Sequence, residues 1–544
     1  MKKLLTFIFG LTLACISITC LSQPLWDLAK KNKDVLVVTT LFTAQSVRDN
    51  LTSASGLDDA VNWCKLTGIT KVYIESFRDG YYAEKETLLR AKNRFLKEGF
   101  NVSGCVTTTR FGKNGIGAWT SACYTNKATQ EELQKIFEYT AGMFDEIMID
   151  DFLFTECTCE ECMAACGDQP WSKFYSDLMV KMSRERILKP SKAVNPNAKI
   201  IIKYPLWYDD FHKRGYEVVR ESKDFDEIYV GTETRDYDYD VRSSGDVQYN
   251  AYFIMRWLGG IGGDKTGGGW FDALGVTSKI YLEQARQTVL ADAKEIMLFT
   301  YSNLIRERNK YNGWEGTPIA NIEAFRKELP GLFELAKIVR GKPVKGIHMP
   351  KLPNSEPYDE RYIFSLFGMI GLPLVPAHEI DEQARSAIFP VQSLKDPGFS
   401  VKLQKLLDSG KPVVITDGLA KRLSDQSLLK NENLTVLKVE GTPRNLLKLT
   451  REELNPIRDK LMAPLGMKFD APNKVALYLF GDNHYVVENF NNEPVDVTLD
   501  FKQVSKVRKV LMLPEDGTAE LSQNNNSVSI RNLSPRTLIT VEYR

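Results

Sequence analysis

Eight short apolar segments alternate with amphipathic segments between about residues 34 and 340, and this alternation constrains the fold more than any other feature. Strands that alternate with helices predict parallel βα units. Eight such units over about 300 residues favour a (β/α)8 TIM barrel over an open sheet. The seventh strand is the weakest, because Gly259–Gly269 is rich in glycine and typical of a loop. The eight predicted strands are Val35–Thr39, Lys71–Glu75, Val102–Thr107, Glu146–Asp150, Lys199–Tyr204, Glu227–Gly231, Gly268–Phe271 and Glu295–Tyr301.

The pattern changes after the barrel, and two further domains are predicted. Short apolar segments such as Gly346–Met349, Tyr362–Met369 and Pro412–Thr416 resemble strands, with a helix over Val401–Leu407. They indicate a small α/β domain over residues 341–465. From 466 to 544 only strand patterns and turn residues occur, which predicts a C-terminal β-sandwich.

The amino-terminal segment predicts export. Met1-Lys-Lys is followed by an apolar run from Leu4 to about Ile18, which is typical of a secretory signal peptide over residues 1–22. The barrel domain would then occupy 23–340. No other segment is apolar for long enough to span a bilayer. We therefore expect a protein of the periplasm or, alternatively, of the cell surface or the medium.

The charge balance excludes a nucleic-acid partner. The chain has 71 basic and 70 acidic side chains and a net charge of +1, with both signs distributed along its length. A nucleic-acid-binding protein concentrates Lys and Arg on one surface. The four histidines are scattered, and no serine nucleophile motif is present, which argues against a histidine-based triad.

Four cysteines predict a metal site next to the fourth strand. Cys157, Cys159 and Cys162 form a C-x-C-x-x-C run, and Cys123 precedes the strand. Four thiolates suit a structural Zn2+ ion, which needs no open coordination position. The alternative is a disulfide with unpaired cysteines, since exported proteins favour disulfides.

Active sites of TIM barrels form where the strands end, and this rule selects the candidate residues. Asp150 and Asp151 end the fourth strand, Glu233 follows the sixth, and Asp272 follows the seventh. Glycosidic bond cleavage needs one carboxyl to protonate the leaving oxygen and another to attack the sugar or activate water. The sequence leaves open whether Glu233 or Asp272 pairs with the aspartate of strand four.

Other polar and aromatic residues at the same strand ends are expected to bind a carbohydrate substrate. Aromatic rings can stack on sugar faces, and charged groups can bind hydroxyls. The candidates are Glu75, Arg110, Lys203, Trp207, Tyr208, Arg235, Trp270 and Tyr301.

The cysteine motif and the domain order resemble those of the family 42 β-galactosidases. The resemblance rests on Ser121-Ala-Cys123-Tyr, the strand Ile147–Asp151, and Cys157-Thr-Cys159-Glu-Glu-Cys162. It implies a structural zinc, a middle domain similar to glutamine amidotransferases, and a trimer formed through that domain. Members of that family end strands four and seven with catalytic Glu residues, where this chain has Asp150-Asp151 and Asp272. An Asp that ends strand four also resembles the nucleophile of several α-glycosidase families, and Glu233 would then be the acid/base.

These observations together predict an exported glycoside hydrolase acting on an oligo- or polysaccharide. The alternative is a non-catalytic carbohydrate-binding protein on a degenerate barrel. A sugar-active lyase or transglycosylase would use the same pocket. Carboxylates that converge at the barrel mouth would favour an enzyme, and carboxylates that point apart would favour a binding protein.

Overall fold

The computed structural model describes residues 24–117, 121–235, 247–504 and 506–544. The predicted signal peptide, 1–22, lies outside these residues and stays a prediction. Within the described ranges, no helix combines the length and the apolarity needed to cross a bilayer.

Eight parallel strands, β1 to β8, close into a barrel. β1 pairs with β2 on one side and with β8 on the other, so the sheet has no free edge within this ring. The prediction of a TIM barrel is confirmed. The strands are Val37–Phe42, Lys71–Arg78, Asn101–Val106, Glu146–Ile149, Lys199–Tyr204, Glu227–Gly231, Thr266–Asp272 and Glu295–Phe299.

Helices follow the strands and cover the outside of the barrel. The main ones cover 24–31, Ala44–Asn50, Ala54–Leu66, Lys85–Lys97, Lys127–Ala141, Trp171–Met182, Val218–Asp224, Tyr249–Gly262, Ser278–Leu290 and Pro318–Val339. Shorter helices cover Glu160–Cys166, Lys189–Val194, Phe211–Arg214 and Tyr301–Leu304.

The expectation of a loop over Gly259–Gly269 is wrong. Its first residues complete the helix Tyr249–Gly262, and its last residues belong to β7. Glycine is needed there because the neighbours are bulky: a Cβ atom at Gly268 would lie 2.5 Å from the Tyr229 ring. The glycines thus reflect close packing inside the barrel.

A parallel five-stranded sheet follows the barrel, in agreement with the predicted α/β domain. Its strands, in spatial order, are Leu374–Ala377, Ile347–Pro350, Ala387–Phe389, Val413–Thr416 and Leu434–Leu437. Its helices are Ile363–Met369, Phe399–Asp408, Asp417–Arg422 and Arg451–Met462. The segment Tyr362–Met369, expected to be a strand, contains the first of these helices. Because every residue of that helix is buried, it has no polar face that would reveal the helical period.

The C-terminal residues form two antiparallel sheets, and the prediction of a β-sandwich is confirmed. One sheet contains Val344–Lys345, Val475–Phe480, His484–Asn489, Thr537–Tyr543 and Val507–Leu513. The other contains Met467–Asp470, Val495–Phe501, Ser527–Leu533 and Glu520–Asn524. Val344–Lys345 precedes the α/β sheet in sequence but pairs with this C-terminal domain.

Buried polar contacts join the sandwich to the barrel. Arg286 on a barrel helix forms an ion pair with Glu328 and donates to the carbonyl of Arg536 at 2.8 Å. Arg536 in turn lies 3.2 Å from Glu283. All four side chains are nearly inaccessible, so removing one partner would leave another charge unpaired. The sandwich is therefore an integral part of the folded unit.

One residue from each strand fills the centre of the barrel. This layer consists of Leu41, Tyr73, Cys105, Met148, Ile201, Tyr229, Trp270 and Met297. Side chains on a strand alternate between two faces, so residues two positions away point into the barrel as well. The positions towards the amino-terminal end are polar: Lys71 contacts Glu146 at 2.6 Å and Glu295 at 2.7 Å.

The polar layer at the amino-terminal end predicts a pH dependence of stability. Burial, followed by the charges of Glu295 and Glu146, raises the pKa of Glu227 to about 7. The folded state therefore retains a proton that the unfolded state has lost, and stability falls as the pH rises from about 4.3 to 7. Glu227→Gln should raise the free energy of unfolding at pH 8 by about 1–2 kcal/mol and have little effect below pH ~4.

Urea denaturation at both pH values measures this difference. Exposed Glu315 provides the matched control, because Glu315→Gln removes the same charge from a solvated position. An equal change at both pH values for Glu227→Gln would contradict the predicted linkage.

Candidate active site

The polar residues of the site occupy the next inward positions of the barrel strands. Two residues beyond the central layer towards the strand ends are Glu75, Thr107, Asp150, Lys203 and Asp272. The period of two along a strand thus brings polar groups from five strands, four of them charged, to one end of the barrel.

Lys203 is the centre of this group. Its ammonium group lies 2.7 Å from Asp151, 3.3 Å from Glu233 and 3.6 Å from Asp150, and the residue is 1% exposed. The nitrogen also lies 4.1 Å from the centre of the Trp270 ring, a cation–π contact. Burial disfavours the charged amine, but the three carboxylates outweigh it and raise the pKa of Lys203.

Asp150 is held from several sides and stays ionised. Arg78 donates to its Oδ2 atom at 2.7 Å, Thr107 at 3.2 Å, and the backbone N–H of Asp151 donates to Oδ1 at 2.8 Å. Burial alone would raise the pKa of Asp150, but Lys203 and Arg78 hold it below its usual value. These contacts fix the carboxylate in one orientation.

Asp151 has the opposite electrostatic character. Burial, opposed by Lys203 and reinforced by the charges of Asp150 and Glu233, raises the pKa of Asp151 to about 7. Its side chain is 15% exposed, against 3% for that of Asp150. The Tyr216 hydroxyl donates to its backbone carbonyl at 2.7 Å. Asp151 is therefore a carboxyl group that can hold or release a proton near neutral pH.

Glu233 completes the cluster from the sixth strand. Its Oε1 atom accepts from Lys203, whereas Oε2 is buried without a hydrogen-bond partner among the described residues. A Cβ atom at Gly231 would lie 2.6 Å from Oε2, so a larger residue there would displace this carboxylate from its observed position. A buried carboxylate oxygen without a hydrogen-bond partner lowers the stability of the fold. Its presence calls for an explanation, and a functional role is one.

Asp272 is paired with a different cation. Arg235 forms a bidentate ion pair with it, and the backbone N–H of Leu274 donates to its Oδ1 atom at 3.0 Å. Asp272 is 1% exposed and has no ion-pair contact with Lys203 in the described part of the chain. The structure therefore brings Glu233, but not Asp272, into the group around Lys203.

The predicted polar substrate-binding residues take three different positions. Glu75 is fully buried, with its Oε2 atom accepting from Arg78 and from the backbone N–H of Ala44, both at 2.8 Å. Arg235 is occupied by Asp272 and lies over the Tyr311 ring at 4.8 Å. Arg110 is outside the cluster: its side chain is 68% exposed, and its nearest charge is Asp79 at 3.8 Å.

Three of the predicted aromatic residues are core residues, which corrects the expectation that they bind substrate: Trp270, in the central layer of the barrel, is 2% exposed, and Tyr208 and Tyr301 are also buried. Tyr208 is 1% exposed and packs against Trp257 and Phe364. Tyr301 is 5% exposed and packs 4.8 Å from Phe42. Burial keeps all three rings away from a ligand.

The two tryptophans lie closer to the polar cluster. Trp270 is stacked on Phe299, with ring centres 4.7 Å apart, beneath the ammonium group of Lys203. Trp207 is half-buried, and Arg214 lies 4.4 Å above its ring.

The four predicted cysteines come together. Their sulfur atoms all lie within 4.8 Å of one another, and none of the four forms a disulfide. The Sγ atom of Cys123 is 3.5 Å from that of Cys159 and 3.6 Å from that of Cys162. The backbone N–H of Ile116 donates to Cys157 at 3.3 Å. These distances and the soft donor set fit a single metal ion.

The cysteine cluster is connected to the rim of the barrel. Arg214 forms an ion pair with Glu156, which precedes the cysteine run, and its guanidinium covers Trp207. Thr155 donates its backbone N–H to the Arg214 carbonyl at 3.0 Å. The cluster thus fixes the loop after β4, which begins with Asp150 and Asp151.

Some residues that organise the site were missed or underrated in the sequence. Arg78, which follows the second strand, forms ion pairs with both Glu75 and Asp150. The role of Thr107 as a donor to Asp150 was missed, although the period of two would have identified its inward position. Nothing in the sequence indicates that Tyr216 reaches the backbone of Asp151.

A family model described as "Probable glycosyl hydrolase, catalytic domain" matches residues 24–330, more than half of the chain. A second, "Probable glycosyl hydrolase, C-terminal domain", matches residues 466–542. An uncharacterised protein of Saccharolobus solfataricus is 26% identical over 393 residues. The match covers 66% of this chain and 62% of that relative, so less than two thirds of the relative's length is matched.

Solved structures share the fold. An α-L-fucosidase isoenzyme 2 from Paenibacillus thiaminolyticus is 10% identical with a TM-score of 0.59, over 93% of this chain and 99% of that one. An exo-carrageenase of glycoside hydrolase family 42 from Bacteroides ovatus is 11% identical with a TM-score of 0.52, over 89% and 81%. At these identities the likeness shows the fold alone.

The cysteine geometry predicts one bound metal ion per chain. Elemental analysis of the purified protein should find it, and Cys162→Ser should lose it because three ligands bind far more weakly than four. Cys166 provides the matched control: it is buried nearby and donates to the Gln169 carbonyl at 3.3 Å, outside the cluster. Cys166→Ser should keep the metal. A metal-free protein with disulfide-linked cysteines by mass spectrometry would contradict the prediction.

Proposed function

The chain belongs to the probable glycosyl hydrolase family, and from this membership we propose that it hydrolyses glycosidic bonds with Asp151 and Glu233 as the catalytic pair. The observation that carries the proposal is the convergence of both carboxyl groups on Lys203. The substrate class is an oligo- or polysaccharide.

The two carboxyl groups differ in the way that the reaction requires. A general acid must hold a proton at the working pH, and the pKa of about 7 suits Asp151 for this role. The second carboxylate must attack the anomeric carbon, and Glu233 has one oxygen without a hydrogen-bond partner among the described residues. Asp151 would protonate the leaving oxygen, Glu233 would form the glycosyl intermediate, and Asp151 would then activate water.

The spacing of the pair favours retention of configuration. Lys203 lies 2.7 Å from Asp151 and 3.3 Å from Glu233, so their nearest oxygens cannot be farther apart than these two distances together. Retaining enzymes place the two carboxyls about 5–5.5 Å apart, and inverting enzymes about 6.5–9.5 Å apart. The limit set by Lys203 on these two oxygens lies below the range for inverting enzymes and favours the shorter class.

Zinc is the metal that we propose for the cysteine cluster. Zn–S bonds of about 2.3 Å place the sulfurs of a regular tetrahedron about 3.8 Å apart. The Cys123 contacts of 3.5 and 3.6 Å approach this value. Four thiolates leave no open position, so the ion would stabilise the loop after β4 and take no part in the reaction.

The convergence of Asp151 and Glu233 favours the enzyme over a non-catalytic carbohydrate-binding protein. A binding protein has no need for a carboxyl group that holds a proton near neutral pH beside a second carboxyl group with a free oxygen. Export and a trimeric assembly stay predictions from the sequence and from the family 42 resemblance.

Substitution of the proposed pair should abolish turnover. With a panel of aryl glycosides, Asp151→Asn and Glu233→Gln should each lower kcat/KM by at least about 10³-fold, since each removes a chemical step. Asp272→Asn, the matched control, should lower thermal stability by unpairing Arg235 but change kcat by less than about tenfold. A larger loss with Asp272→Asn than with Glu233→Gln would reverse the assignment.

Rescue of inactive variants by azide distinguishes the nucleophile from the acid/base residue. In a retaining enzyme, azide enters from the face opened by removal of the nucleophile, so Glu233→Ala should give a glycosyl azide of inverted configuration. With Asp151→Ala, azide would attack the intermediate and give the retained configuration. The opposite pair of products would exchange the two roles.

Lys203 should control the pH at which activity is lost. Because its charge opposes the rise in the pKa of Asp151, Lys203→Met should move the alkaline limb of the kcat/KM profile upwards by at least about one pH unit. Lys203→Gln tests the same loss of charge with a polar side chain. The control is Lys199→Met, at the exposed start of the same strand. Unchanged limbs in variants that fold normally would show that Lys203 has only a structural role.

A further inference from the structure

A second cleft lies far from the carboxyl ends of the barrel strands. A cleft of about 870 Å³ opens between the C-terminal sandwich and the α/β domain. Phe501 and Tyr543 line it, with ring centres 5.1 Å apart, and both rings are half-buried. A partly exposed aromatic pair of this kind can stack on the apolar face of a sugar ring.

The cleft is positively charged. Lys345, Arg385 and Lys502 line it, and the single acidic residue in its wall, Asp482, is already paired with Lys345. Arg385 and Lys502 are exposed and have no ion-pair or hydrogen-bond partner for their side-chain charges within the described ranges. Two unpaired cations beside aromatic rings favour an anionic ligand.

The position of the cleft separates it from the catalytic centre. The chain enters Val344–Lys345 from the end of the helix Pro318–Val339, where Arg340 donates to the Asp292 carbonyl at 2.8 Å. Asp292 lies just before β8, so this junction is at the amino-terminal end of the barrel. Lys203 and its carboxylates lie at the opposite end.

We propose that this cleft is a non-catalytic binding site for an anionic polysaccharide that carries sulfate or carboxylate groups. Arg385 and Lys502 bind the anionic groups, and Phe501 and Tyr543 stack on the sugar rings. Its use in anchoring the protein to a polymeric substrate rests on the proposed function, but the binding itself does not.

The test compares three polymers with one backbone: dextran sulfate, carboxymethyl-dextran and neutral dextran. We expect the wild-type protein to bind at least one charged polymer in biolayer interferometry and to bind neutral dextran at least about tenfold more weakly. Preference for the sulfated or the carboxymethylated polymer identifies the anion. Absence of binding to both charged polymers, or equal binding of neutral dextran, would overturn the proposal.

Charge-matched variants locate the site. Arg385→Ala/Lys502→Ala should weaken binding of the charged polymer by at least about tenfold. The control, Lys127→Ala/Lys189→Ala, removes two exposed charges from the barrel and should leave binding within about twofold. Equal losses in both double variants would indicate unspecific attraction and overturn the proposal.

Two further measurements separate the alternatives. Tyr543→Leu keeps the apolar volume but removes the aromatic face, and it should weaken binding while the thermal midpoint stays near that of the wild type. A change of oligomeric state in Arg385→Ala/Lys502→Ala by light scattering would instead show an interface between copies of this chain.

Hydrolysis of soluble glycosides should be unchanged in the Arg385→Ala/Lys502→Ala and Tyr543→Leu variants. If even the wild type hydrolyses none, the proposed function fails while the binding data still decide this inference.

Discussion

The buried ammonium group of Lys203 is the interaction on which the candidate site depends. Three carboxyl groups lie within 3.6 Å of it, and none of them could stay buried at this density of negative charge without a cation. Loss of one partner from such a group costs about 3–5 kcal/mol, because another charge is left unpaired. The same attraction that holds the cluster together also sets which carboxyl keeps a proton.

The electrostatic division between Asp150 and Asp151 follows from what surrounds each. Arg78 and Thr107 bind Asp150 in addition to Lys203, so it is ionised and fixed. Burial raises the pKa of Asp151, Lys203 opposes this rise as its ionic partner, and the neighbouring charges of Asp150 and Glu233 add to it. Two adjacent aspartates thus differ in electrostatic character, and this difference underlies the proposal that Asp151 exchanges the proton.

Much of the fold could be predicted from the sequence, because hydrophobic periodicity reports burial directly. Hydrophobic periodicity gave the wrong secondary structure in two places. One is the completely buried helix Ile363–Met369, and the other is the start of β7, where close packing requires glycine. The rule for strand ends selected Asp151, Lys203 and Glu233 as candidates, and the structure brings these three side chains into contact. The ion-pair partners of these residues could not be predicted. The choice of Glu233 or Asp272 as the second carboxyl group depends on which cation each one contacts, and the sequence does not show this. Tyr208 and Tyr301 show the same limit, because position near a strand end does not establish exposure.

The central claim is that Glu233 attacks the sugar while Asp151 supplies the proton, and trapping of the intermediate tests it most directly. An activated 2-deoxy-2-fluoro glycoside of a sugar that the protein turns over should accumulate as a covalent adduct. Peptide mass spectrometry should then find the label on Glu233. A label on Asp151 or Asp272, or turnover with inversion of configuration and no adduct, would contradict this account.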